Sequence, residues 1–190
     1  SCSEREIAGT DYTQFVNPLI GTGGHGHTFP GPVVPHGMVQ PGPDTRLDGW
    51  DSCSGYYYND STINGFSHNR LSGTGCCDYG DVLLMPTVGE QCIGTEEPTG
   101  QQMPYCSSFS HDDEVAVPGY YSVYLSRYGV RAELTATCRA AIHRYTYPAT
   151  SGAGMILDLD YSLQRQTNRD MLIEQVNLSL IHISEPTRPY

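Results

Sequence analysis

Alternation of apolar and polar positions governs the middle of the chain. In YYSVYLSRYGVRAELTATCRAAIHRYTYP, Tyr120 to Pro148, the residues Val130, Ala132, Leu134 and Ala136 fall on one face. Arg131, Glu133 and Thr135 fall on the other. Successive side chains of a strand point to opposite faces, so period two predicts half-buried strands. Arg127-Tyr128-Gly129 separates two such runs and predicts a hairpin turn. Pro148–Gly152 is a break, and GMILDLDYSL after it predicts a further strand. Upstream, YGDVLLMPTVGEQC (Tyr79–Cys92) also reads as a strand, and residues 93–114 are polar and loop-like. Residues 11–50 are rich in glycine and proline, which rules out a long helix there. Short strands are predicted at Phe15–Val16 and Met38–Gln40, and a helix over Asn168–Val176. Antiparallel strands joined by short turns form a meander, and packing two such layers buries it. The expected fold is mainly β, an antiparallel β-sandwich, with no internal repeat.

Composition narrows the choices. The 190 residues suit one domain with a sizeable core. Net charge is −11, and all ten basic residues are arginines, without a basic cluster. This argues against a nucleic-acid surface. No apolar run approaches the roughly 20 residues of a spanning helix. Fourteen tyrosines offer apolar rings with polar tips, which suit sugar stacking. The opening SCSEREIAGTD has the form of a mature bacterial lipoprotein, with Cys2 carrying the lipid and residues 1–10 as a tether. An arbitrary chain boundary is the alternative. The terminal SLIHISEPTRPY resembles a translated sequencing-adapter sequence. Residues 178–190 are accordingly read as a non-native tail, and the frame as truncated near Asn177.

Few motifs carry chemistry. His25 and His27 are two apart and would share a face of a strand, but without a third ligand they read first as structural or hydrogen-bonding groups. Asp158 and Asp160 have the same spacing and read as the wet face of a strand rather than part of a calcium site. No C-x-x-C pair or zinc spacing occurs. The cysteines are expected as buried free thiols or as one or two disulfides in an exported protein. No G-x-S-x-G elbow or phosphate loop occurs, and Ser72 four residues from His68 does not make a nucleophile. Trp50, the only tryptophan, lies between Asp48 and Asp51 in DGWDSCSGYYYND. It reads either as a loop anchor or as a platform for a pyranose, with carboxylates nearby to take hydroxyl hydrogen bonds.

Four stretches together resemble one family. FVNPLIGTGGHGHTFPG, PHGMVQPGPDT, GFSHNRLSGTGCCDYGDVLLMP and PGYYSVYLSRYGVRAELTAT are similar to the N-terminal domain of glycoside hydrolase family 92, from about Tyr12 to Asn177. The resemblance implies a β-sandwich over residues 11–177 that packs on a C-terminal (α/α)6 barrel, with the active site between them. It also implies an exo-acting, calcium-dependent α-mannosidase that inverts at the anomeric carbon. Inversion needs an acid and a base carboxylate about 6.5–9.5 Å apart. In the family the barrel mainly supplies these and the calcium ligands, so no catalytic or metal-binding residue is assigned to this chain, and the chain alone is expected to be inactive.

What carries over is part of the pocket wall. Trp50 stands where the family places a tryptophan that contacts sugar. Thr22, Gly23, His68, Ser72 and Thr74 are expected at the interface with the barrel. The implied partners are a mannose-containing glycan (N-glycan or mannan), the barrel, and a membrane held through lipidated Cys2. The implied location is the periplasm or cell surface of a bacterium. The rival readings are a stand-alone glycan-binding surface lipoprotein without catalysis and, more distantly, a calcium- or zinc-binding adhesin domain.

Overall fold

A computed structural model describes residues 11–91, 98–165, 171–176 and 179–184, with side chains for 11–91 and 98–164. The strands are β1 (Gly42–Asp44), β2 (Thr62–Ile63), β3 (Gly65–Ser67), β4 (Leu83–Val88), β5 (Ser107–Ser108) and β6 (Val115–Val117). They continue with β7 (Tyr120–Leu125), β8 (Val130–Ala136), β9 (Ala141–Thr146), β10 (Ala153–Asp158), β11 (Met171–Val176) and β12 (Ser179–Ser184). Two four-stranded antiparallel sheets, ordered β1-β3-β4-β10 and β6-β7-β8-β9, hold the core between them. β2–β5 and β11–β12 are separate two-stranded pairs.

The alternation that predicted strands is the alternation that builds the core. Tyr121, Val123 and Leu125 of β7 and Val130, Ala132 and Leu134 of β8 are buried. They join Phe66, Leu83, Met85 and Ile156 of the other sheet in one apolar cluster. The hairpin turn falls where expected, with Gly129 at φ 66° and its N–H donating to Leu125 O at 2.8 Å. The β-sandwich expectation is borne out.

Three local expectations are corrected. Phe15–Val16 is no strand: Tyr12–Phe15 is a 3-10 turn whose Asp11 cap accepts from Thr13 N at 3.0 Å. Met38–Gln40 is no strand either. Met38 N–H donates to Cys138 O and Gln40 N–H to His68 O, both at 2.8 Å, and the ladder starts later, at Gly42. The predicted helix over Asn168–Val176 is a strand over Met171–Val176, its residues 168–170 lying outside the described residues. Pairing with Ser179–Ser184 overrides its local preference.

One ion pair joins the first sheet to its loops. The side chains of Arg70 and Asp44 are fully buried, with Arg70 Nη1 2.9 Å from Asp44 Oδ1. The guanidinium also donates to Ser54 O (2.8 Å), Gly42 O (2.9 Å) and Ser67 Oγ (2.8 Å), and lies 4.6 Å from the Phe29 ring centre. Burial pushes the Asp44 carboxyl up, and the Arg70 charge pulls it back. Gly55 at φ 91° is required beside the pair, because a Cβ there would stand 2.1 Å from Asp44 Oδ1.

Removing one partner of such a pair strands the other charge in the interior. Arg70→Ala is expected to cost about 3–5 kcal/mol of stability. Arg70→Lys should recover only part, since one ammonium cannot reach all the acceptors of a planar fork. The midpoint of urea unfolding checks both.

Candidate functional site

Three loops converge beside the first sheet, one from each glycine-rich stretch. Trp50 opens the 3-10 turn Trp50–Ser52 after Gly49, whose φ of 116° suits only glycine. Its indole is 58% exposed. From the GTGGHGHT loop, the His27 ring meets it edge-on at 4.3 Å between centres, and the His25 ring lies 5.1 Å away, tilted by 48°. From the SGTG loop, Gly75 sits at φ 69°, where an added Cβ would stand 3.1 Å from Trp50 Nε1 and 3.3 Å from His27 Cε1. Gly73 N–H donates to His27 O at 2.6 Å, tying the same two loops together. His27 is buried at φ 58°, and its Nε2 has no hydrogen-bond partner.

The polar rim comes from the turn itself. His25 Nδ1 is 2.5 Å from Asp51 Oδ1. A carboxylate can only accept, so Nδ1–H donates, and Nε2 is left as the free end of the ring. The His25 side chain is 75% exposed. An open indole with a hydrogen-bonding imidazole at its edge can stack on the apolar face of a sugar ring and engage one of its hydroxyls.

The structure divides the sequence-derived site residues. Ser72 and Thr74 are exposed on the loop that supports Trp50, with Thr74 Oγ1 accepting from Cys76 N at 3.2 Å. Gly23 forms a turn in the histidine loop, its O accepting from Gly26 N at 3.3 Å. Thr22 is buried, its hydroxyl donating to Leu19 O at 2.8 Å and its O accepting from Tyr58 N at 3.0 Å, so it braces the loop from inside. His68 has other partners: its Nδ1 is 2.7 Å from Val82 O, and its ring lies 4.8 Å from that of His143. Cys2 lies outside the described residues. The His25–His27 pair is not on a strand but in a loop around Trp50. Asp158 ends β10 partly exposed, where it accepts from Tyr105 O–H at 2.5 Å and from Asp160 N and Tyr161 N at 3.0 Å, and Asp160 lies exposed just beyond the strand. Sequence reasoning passed over Asp51 as the partner of His25, and nothing in the local pattern marks that pairing.

Cys53, Cys76, Cys77, Cys106 and Cys138 are free thiols. Burial pushes the Cys77 thiol up to about 12 and raises those of Cys53 and Cys106, so all three stay protonated and unreactive near neutral pH. Among the described residues no group of three or more histidine, cysteine or carboxylate side chains can hold a metal ion. The described residues thus offer no such ligand set for the calcium that the resemblance implies.

The chain belongs to the glycosyl hydrolase family 92 N-terminal domain family, whose model matches residues 15–188. The match runs across the β11–β12 pair. A family 92 α-mannosidase from Bacteroides thetaiotaomicron, solved in complex with mannoimidazole, is similar at 44% identity and a TM-score of 0.74, over 80% of this chain and 20% of that one. A family 92 inverting mannosidase from the same species is similar at 33% identity and a TM-score of 0.64, over 78% of this chain and 19% of that one. An uncharacterized secreted glycosidase of Arthroderma benhamiae is 32% identical over 144 residues, 73% of this chain and 18% of its own length. The chain thus spans about a fifth of the length of these relatives.

Two outcomes follow from this geometry. Gly75→Ala should displace the indole and cost about 1 kcal/mol or more, because alanine is strained at positive φ and its methyl crowds Trp50. Trp50 is the chain's only tryptophan, so its emission spectrum reads the displacement directly. The second outcome concerns the buried imidazoles. Burial pushes His143 down to about 3, with the neighbouring His68 charge adding to it, and burial lowers His68 as well. Unfolded histidine titrates near 6.5, so the unfolded chain takes up protons first as pH falls. The stabilising preference for neutral imidazole is full above about pH 6.5 and is lost progressively below it. The urea midpoint should fall from pH 7 to pH 5, and His143→Gln should flatten that slope.

Proposed function

We propose that this chain forms one wall of the sugar site of an inverting, exo-acting α-mannosidase, with Trp50 as the stacking surface. The observation that carries the reading is the exposed indole, gripped by His27 and Gly75 and rimmed by the His25–Asp51 pair, in a chain of family 92. Singly exposed apolar residues are common on protein surfaces; this ring differs in being held by side chain and backbone from two other loops, with a polar pair at its edge. In this reading a C-terminal (α/α)6 barrel, part of the length by which the relatives exceed this chain, supplies the acid and base carboxylates and the calcium. The wall contributes binding energy and orientation, and the chain by itself does not turn over substrate. The ligand is a terminal mannose of a larger glycan. Export belongs to the same reading and is supported by the secreted fungal relative, and Cys2 is proposed as the lipid anchor.

The test uses the protein that carries this domain, assayed on an aryl α-mannoside and a mannobioside. Trp50→Ala is expected to lower kcat/KM by about tenfold or more, the equivalent of about 1.4 kcal/mol. Melting temperature should stay within about 2 °C, since no core is emptied. Unchanged kcat/KM with a drop of several degrees would make Trp50 a loop anchor and overturn the reading.

A further inference from the structure

The turn that carries Trp50 has little of its own to hold it in place. Gly49 offers no side-chain cap. Within the turn, Ser52 Oγ donates to Asp48 O at 3.0 Å, and Cys53 N–H donates to Trp50 O at 3.3 Å. The chain entering the turn is held from elsewhere: Gln164 N–H donates to Leu47 O at 2.7 Å, and one side chain distant in sequence takes the N–H groups. The N–H groups of Leu47 and Asp48 both donate to Gln101 Oε1, at 2.9 and 3.1 Å. Gln101 Nε2 donates back to Asp48 Oδ1 at 2.5 Å. The three partners settle which end of the carboxamide is which, since Oε1 faces two donors and Nε2 faces a carboxylate.

Gln101 is in turn fixed to the core. Its carbonyl accepts from Asn64 Nδ2 at 2.9 Å, and Asn64 Oδ1 accepts from Met103 N at 2.8 Å. Asn64 lies between β2 and β3, is fully buried, and donates its own N–H to Asp44 O at 2.7 Å. A continuous hydrogen-bonded route therefore runs from the buried Asp44 region through Asn64 and Gln101 to the residue two places before Trp50.

We propose that Gln101 is a positioning residue for Trp50: its carboxamide clamps Leu47 and Asp48 and so sets the height and tilt of the indole that meets the sugar. Its effect on the sugar rests on the reading of Trp50 as a stacking surface, but its effect on the indole does not. A clamp built from one acceptor and one donor makes a sharp demand. Gln101→Glu keeps an acceptor for the two N–H groups but sets a carboxylate against Asp48. Adding Asp48→Asn returns a donor to face that carboxylate, with the roles of the two side chains exchanged.

The test compares Gln101→Ala, Gln101→Glu, Asp48→Asn and the Gln101→Glu/Asp48→Asn pair. Emission and acrylamide quenching of Trp50 are read in this single-tryptophan chain, and kcat/KM for a mannobioside in the protein that carries the domain. Both Gln101 single variants should alter Trp50 emission and quenching and lower kcat/KM by about tenfold, comparable to one charge-assisted hydrogen bond. The double variant should return both readouts to within about twofold of wild type, a coupling that independent structural losses would not give. Trp50 signals that stay at the wild-type value in Gln101→Glu, or that shift and are not rescued by Asp48→Asn, overturn the proposal, whatever the melting temperature does. Should Gln101→Ala fail to fold, Gln101→Glu with its rescue decides. If Trp50→Ala leaves kcat/KM unchanged while Gln101→Glu still shifts the indole and is rescued, the clamp stands and the sugar reading falls.

Discussion

The Arg70 guanidinium is the interaction on which the site depends. It is fully buried, and it reaches β1 through Gly42 O and Asp44, β3 through Ser67, and the loop after the Trp50 turn through Ser54 O. An arginine can do this because its planar fork offers several donors in fixed directions. A buried charge of this kind is held only when it is matched by a counter-charge and enough acceptors, and Asp44 with six carbonyl and hydroxyl oxygens supplies both. The consequence is local order without regular structure. Long glycine- and proline-rich loops take a defined path because one cation collects their carbonyls.

That order is what permits an exposed aromatic ring. An indole in water on a loose loop would sample many positions, and each would have to be given up on binding. Here the ring rests on His27, abuts Gly75, and follows a segment clamped through Gln101. The Gly75 backbone lies close against the Trp50 and His27 side chains, so a Cβ there would make those rings give way. The glycines of the SGTG stretch thus serve close approach between loops, and the polar groups of those loops are engaged with one another.

The sandwich itself was legible along the chain. From Tyr120 to Thr146 the alternation of apolar and polar residues is uninterrupted enough to place β7, β8 and the intervening turn, because a half-buried strand writes its burial directly into period two. The glycine- and proline-rich segment was legible only as a place without a long helix. Its one strand, β1, is three residues long and carries glycine, proline and aspartate, none of them a strand former. It exists because β3 lies beside it and Arg70 holds it there. The β11 segment likewise takes its strand form from its β12 partner rather than from its own preferences.

The same division applies to the site. The sequence by itself determined the fold class and the family and drew attention to Trp50, since a lone tryptophan among glycines and carboxylates is a local signal and the loop motifs are contiguous strings. Only the tertiary structure decided what surrounds that ring. His25 and Asp51 are 26 residues apart, and Gln101 lies 53 residues from the Asp48 that it clamps. It also set His68, near the start of the GFSHNRLSGTG stretch, against His143. Periodicity and motif strings report what each residue does within its own segment. Hydrogen bonds between loops depend on how the segments are folded against one another, and no local pattern encodes that distance.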